Sequence, residues 1–424
     1  MGTESGSTAA REKAFRENRH FLLLLPVCLA LCLCMYALAS AVSERRFAAA
    51  LEDAERAEPQ TREGTLFYNA LSAKEQMLYD ALVSAAEDEA RETEVLPFVP
   101  TAEEFSRARE AFLCEHPEYY TVDSDAFLLK TSAHTAAIQM AYCDDASDCR
   151  ERTEAVISRI LSGIPDGTEY DIMLYLHDEL TACAVCADGN GETDEKTEAA
   201  EQTAALGMTA ASGTTSALGT TAAVRKTAAG ALCGIPSDSR AYALAYSLLC
   251  SRAGLSCRVV TGYGENGETL YWNTVSADGK TGFTDVFWDD SPVAAVTLPF
   301  HGYCFLDRAE MERDHRLDAR FADGGAEDTV NFYESCGYTA DADGLDALLD
   351  TLLAKARETG DTAIEFSVMG TENADGMTEI VQAALENAVT RADGSGNGSI
   401  PITEFRVYRA SNARPVYTVQ LFYE

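Results

Sequence analysis

Positive charge is scarce in this chain of 424 residues: 33 Lys and Arg stand against 69 Asp and Glu, for a net charge of −36 and a pI near 4.4. Such a surface repels phosphate backbones and anionic headgroups, so nucleic acid is not expected as a partner, and the acidity suits the solubility of an exported domain. No glycine-rich phosphate loop and no ligand cluster of defined spacing occurs, so no nucleotide, metal or haem site is expected and no cofactor is implied. Aromatic rings of the largest kind are nearly missing, with two tryptophans, Trp272 and Trp288. Histidine is also rare at six residues, and of these His177, His301 and His315 lie within or beside the most patterned stretch of the chain.

What is present begins with a charge-free run from Phe21 to Val42, "FLLLLPVCLALCLCMYALASAV", long enough to cross a bilayer as a helix. Arg11, Lys13, Arg16 and Arg19 precede it, which favours a cytoplasmic N-terminus and an exported remainder. The alternative is a cleaved signal peptide, since Ala39-Ser40-Ala41 fits a small-x-small cleavage site. Thirteen cysteines occur, three of them in this run. Cys143 with Cys149, and Cys183 with Cys186, are spaced for one or two disulfides in an oxidising compartment; zinc ligation by the same four is the less specific alternative.

Apolar residues recur at helical spacing over Thr65 to Ala90, with Ser72 and Glu75 as a capping box inside that stretch, and again over Thr101 to Cys114 before Pro117 breaks the helix. Strands are expected near Ala126 to Lys130 and His134 to Tyr142, then helices at Glu151 to Ile160 and Tyr170 to Cys183. Residues 188–227, rich in Ala, Thr and Gly and without sustained period, read as a flexible insertion. Asp238 or Ser239 can cap a helix that Gly254 stops; three strands follow, "SCRVVTGY", "TLYWNTVS" and "TGFTDVF", the last two joined through Ala277-Asp278-Gly279. A helix followed by three antiparallel strands is an α+β core. Further on, strands at Ala363 to Met369, Ile402 to Arg409 and Val416 to Tyr423 alternate with helices at Leu345 to Ala356 and Met377 to Ala388.

The segments "GALCGIPSDSRAYALAYSLLCSRAGLSCRVVTG" and "LYWNTVSADGKTGFTDVFWDD" resemble the bacterial transglutaminase-like superfamily, although Gly234 sits one place early. "FYNALSAKEQMLYDAL", "HPEYYTVD" and "YCFLDRAEMERDH" extend the likeness from about residue 65 to 318. The resemblance implies a papain-like core, a helix packed on an antiparallel sheet, inside a 166–318 domain. Around it are expected a cytoplasmic tail (1–20), a transmembrane anchor (21–42), a stalk (43–63), an N-terminal helical and α+β region (64–165) and a C-terminal α+β domain (330–424).

Active members of that family use a Cys-His-Asp triad. Here the cysteine position falls on Ser239, the histidine position on Leu270, and the aspartate is kept as Asp285. A thiol needs a neighbouring imidazole to become a thiolate and to protonate the leaving group; a hydroxyl needs it more, and leucine cannot accept a proton. Ser239 therefore reads first as a helix cap, Cys233 as a buried small side chain, and His301 and His315 as packing or surface residues, His301 being the least improbable displaced base. Deprived of its imidazole, Asp285 is expected to turn to a backbone amide, to Arg240 or to water. Trp272 and Trp288 are read as core packing, or else as lining of the old substrate groove together with Arg240, Tyr242 and Asn273.

The expectation is a membrane-anchored, single-pass, extracytoplasmic pseudoenzyme of the cell envelope that binds a peptide, a peptidoglycan fragment or a protein through the former cleft. The alternatives are an active hydrolase or acyltransferase with Ser239 and a displaced histidine, and an inert structural envelope protein.

Overall fold

A computed structural model describes residues 5–187, 224–290, 300–321, 329–369, 374–394, 401–409 and 414–424, so the expected flexible insertion lies outside the described residues as far as residue 223. Helix α1 (Ser5–Arg56) runs through the apolar stretch and beyond it; from Pro26 on it is long and apolar enough to cross a membrane, and the apolar window is unburied within the molecule. The stretch expected as a stalk is thus helical as far as Arg56. Ala54 is buried and Leu51 packs against the core, contacts too sparse to register as a period.

Helix α2 (Ala73–Glu87) starts at its capping box: Ser72 accepts from the Glu75 amide while Glu75 accepts from the Ser72 amide. The box therefore opens the helix instead of lying within it, because the residues before it form a separate 3-10 turn, Tyr68–Ala70. Helix α3 (Ala102–Glu115) repeats the device with Thr101 and Glu104. An antiparallel pair, β1 (Leu128–Thr131) and β2 (Ala136–Gln139), leads to α4 (Ala146–Ser162) and α5 (Glu169–Cys183).

The two-residue strand β3 (Val185–Cys186) pairs in parallel with β4 (Pro236–Ser237), with α6 (Ala228–Leu232) just before the latter. Helix α7 (Ser239–Ala253) is apolar nearly all round, "SRAYALAYSLL", and is accordingly the buried centre of the molecule. Gly254, at φ 86°, takes the left-handed conformation that ends it. On α7 packs a four-stranded antiparallel sheet in the order β7-β6-β5-β8, from β5 (Ser256–Tyr263), β6 (Thr269–Ala277), β7 (Lys280–Thr284) and β8 (Arg316–Leu317). Asp278 and Gly279, at φ 52° and 77°, form the β6–β7 hairpin turn. The expected strand through Phe287 stops at Thr284, because Asp285 caps a one-turn helix, α8 (Val286–Asp289). Gly262 permits close approach of β8: a Cβ there would collide with the Arg316 carbonyl and the Trp272 ring.

After α9 (Arg308–Met311) and α10 (Phe332–Cys336), a second sheet is built in the order β11-β12-β10-β9. Its strands are β9 (Thr339–Ala340), β10 (Ala363–Val368), β11 (Ile402–Arg409) and β12 (Val416–Tyr423); α11 (Leu345–Thr359) and α12 (Ala374–Gly394) belong to the same unit. Two apolar cores result, one gathered around α7 and one between α11, α12 and the second sheet. The chain is thus mixed helix and strand with one N-terminal apolar helix.

No disulfide joins any of the thirteen cysteines in this structure, so neither expected bridge is present. The neighbouring Cys149 holds the Cys143 pKa below its ordinary value, whereas the Cys183 thiol donates to the Leu180 carbonyl at 3.5 Å.

Candidate active site

Helix α7, which carries Ser239, packs on strand β6, which carries Leu270. Asp238, not Ser239, caps α7, accepting from the Ala241 amide at 3.1 Å. Ser239 is freed of that task and its Oγ accepts the Tyr271 N–H at 3.3 Å; among the described residues no imidazole or carboxylate bonds to it. Leu270 is buried next door in the strand. Alternation along β6 sends Trp272 away from α7 and Asn273 toward it, where its Nδ2 donates to the Ala243 carbonyl at 2.9 Å.

Asp285 has found a different partner from those expected. Its Oδ1 accepts the Trp288 amide at 3.0 Å, the backbone contact anticipated, but its Oδ2 lies 3.1 Å from His315 Nε2, and Arg240 plays no part. The other ring nitrogen, Nδ1, is 2.8 Å from Asp314 Oδ1. Asp314 in turn accepts from the Tyr303 hydroxyl at 2.7 Å and, at 3.4 Å, from Arg414 of the C-terminal unit. Trp272, Trp288 and Tyr303 enclose the imidazole, with ring centroids 5.2, 4.6 and 5.2 Å away.

A carboxylate only accepts, so an imidazole wedged between two of them donates from both nitrogens and is a cation. Burial alone would lower the His315 pKa; the hydrogen bonds and charges of Asp285 and Asp314 outweigh it and hold the pKa above 6.5. His315 therefore has no lone pair to offer a nucleophile. Sequence reasoning identified this histidine without its role, since nothing local in "RDH" points to Asp285.

The candidate groove residues divide by burial. Tyr242, Trp272 and Asn273 are packed inside; the Tyr242 hydroxyl donates to Asp290, and Trp272 Nε1 is buried with no hydrogen-bond partner among the described residues. Trp288 and Arg240 are half-buried. The Arg240 guanidinium lies 5.9 Å from the Tyr271 ring centroid and its buried Nε has no hydrogen-bond partner among the described residues; Tyr271 OH donates to Glu110 at 3.1 Å, and Arg320 reaches the same carboxylate at 3.3 Å. A polar rim thus borders Ser239. A cavity of about 390 Å³ lies elsewhere, lined by His301, Phe332, Tyr338, Lys355 and Glu365 among others.

At the far end of α8 a second histidine–carboxylate cluster, missed in the sequence, joins His177, Asp178, Asp289, His301 and Glu365. His301 is fully engaged there and is not a displaced base for Ser239.

No family model matches the chain, and no curated protein matches it. Among solved structures it is similar to one described as "Crystal structure of a TGase", with 12% identity and a TM-score of 0.21, covering 38% of this chain and 43% of that one. The chain therefore spans less than half the length of that structure.

Proposed function

We propose that this chain is a membrane-anchored transglutaminase-like protein with an extracytoplasmic body, catalytically inactive, that binds a peptide, cell-wall fragment or protein at the rim of its former active site. One observation carries the inactive reading: both nitrogens of His315, the imidazole held by the retained Asp285, are bound to carboxylates. A triad histidine must instead turn one nitrogen to the nucleophile. Ser239 supports the same reading, since its oxygen accepts an amide proton and no described group is placed to take its own. The binding half rests on Arg240, whose buried Nε beside Tyr271 has no hydrogen-bond partner among the described residues and can meet an acceptor on a ligand. The four basic residues ahead of the apolar helix support a cytoplasmic N-terminus.

Full-length protein in detergent micelles, treated with a fluorophosphonate and compared with Ser239→Ala, is expected to show no Ser239-dependent label. Titration with peptidoglycan fragments and envelope peptides is expected to saturate, with affinity lowered several-fold in Arg240→Ala. Label that disappears in Ser239→Ala overturns the inactive reading; failure of every envelope component to saturate overturns the binding one.

A further inference from the structure

The second cluster has a construction that a plain salt network does not require. Helix α5 offers two successive side chains, His177 and Asp178, and His301 comes up beside them from the segment after α8. Asp178 Oδ1 receives two imidazole nitrogens at once, His177 Nδ1 at 3.0 Å and His301 Nε2 at 2.9 Å. The remaining nitrogen of each ring is held by a separate carboxylate: His177 Nε2 by Asp289 Oδ2 at 3.0 Å, and His301 Nδ1 by Glu365 Oε2 at 3.1 Å. Those carboxylates are themselves fixed, Asp289 by the Tyr303 amide at 2.8 Å and Glu365 by the Tyr333 hydroxyl at 3.0 Å. The rings stack on one another at 5.1 Å, and His301 stacks on Phe332 at 3.9 Å, so neither can swing away.

We propose that His177 Nδ1, His301 Nε2 and the Asp178 carboxylate form a binding site for a divalent transition-metal ion of the zinc type. Two imidazoles and one carboxylate converge within 4.8 Å of one another, the donor set such ions take. The outer carboxylates on both far nitrogens are what a metal-binding histidine needs to fix its tautomer and ring orientation. Burial fits as well: the His177 side chain is 0% exposed and that of His301 7%, whereas Asp178, at 37%, leaves a solvent side for entry and for a water ligand.

The exchange balances. In the metal-free cluster each ring lies between two carboxylates and is a cation, so two imidazoliums with Asp178, Asp289 and Glu365 sum to −1. The ion takes the place of the His177 Nδ1 proton and the His301 Nε2 proton, which leave to solvent; a dication, two neutral imidazoles and three carboxylates again sum to −1. Loading thus adds no charge to the interior. The site is independent of the function proposed above, which uses neither α5 nor Glu365.

The test uses the full chain in detergent, stripped with chelator and titrated with Co²⁺ and then Zn²⁺. Expected is one Co²⁺ per chain with d–d absorption of nitrogen and oxygen ligation, displaced by Zn²⁺. In Asp178→Asn, a change at a part-exposed position whose fold is checked by circular dichroism, affinity is expected to fall at least about tenfold; Asp289→Asn, with all ligands intact, is expected to fall by about tenfold. Absence of binding by the folded wild type, undiminished binding in folded Asp178→Asn, or a thiolate-to-cobalt band marking a cysteine site would each overturn the proposal.

Discussion

His315 is the residue on which the site turns, because its surroundings fix its charge. It is held above 6.5, so the stability it contributes is complete below that value and is lost as pH rises through its folded pKa. Burial alone would raise Asp314, but His315 and Arg414 override it and hold it below 3.8, so its share is complete above that value and is lost as pH falls. His315→Gln leaves the buried Asp285 without its cation and Asp314 with Arg414 at 3.4 Å, and is expected to cost about 3 kcal/mol. Urea unfolding from acid to alkaline pH should find that penalty largest between the two ordinary values and shrinking on either side. Ser239, Leu270 and Asp285 could be located in the sequence because their motifs are continuous runs around the helix start and the hairpin. The Asp285–His315 contact could not, because it joins residues 30 apart through a returning chain. The cap was legible to within one residue: Asp238 and Ser239 offer equivalent oxygens, and only the Tyr271 amide, which occupies Ser239, decides between them.

At the level of elements, one-turn helix α8 does more than its size suggests. Asp285 at its start holds His315, and Asp289 at its end holds His177, so four residues of helix set the spacing of both clusters. Alternation in "TGFTDVF" reads as strand throughout, and period alone cannot show where an aspartate turns the chain into a helix. The β6–β7 hairpin was legible through its Asp-Gly turn, but not the reach of that turn. Asp278 accepts the Glu169 and Tyr170 amides at 3.2 and 3.3 Å, and its own amide donates to Glu169 at 2.7 Å, so the hairpin tip satisfies the first turn of α5. Asp278→Ala strands those amides and puts alanine at positive φ. It is expected to lower stability by about 1–2 kcal/mol, read as a reduced urea midpoint with unchanged slope.

Across the whole molecule, the C-terminal unit carries no motif of its own, yet it supplies Glu365 to one cluster and Arg414 to the other. Arg414 is buried, donates to the Glu310 carbonyl at 2.6 Å and stands 4.3 Å over the Tyr303 ring, so Arg414→Ala is expected to destabilise the α7 core and not only its own sheet. Tryptophan fluorescence tests this directly, because Trp272 and Trp288 both sit at His315: the thermal midpoint they report should fall in the variant. The β3–β4 pairing has a consequence for engineering. It clips the residues that follow α5 to those that follow α6, Val185–Cys186 to Pro236–Ser237, so the entropy of closing the chain between the two strands is already met by native hydrogen bonds. Each doubling of a flexible loop costs only about 0.6 kcal/mol, so a reporter domain inserted just beyond Ala187 is expected to leave the thermal midpoint of the α7 core nearly unchanged.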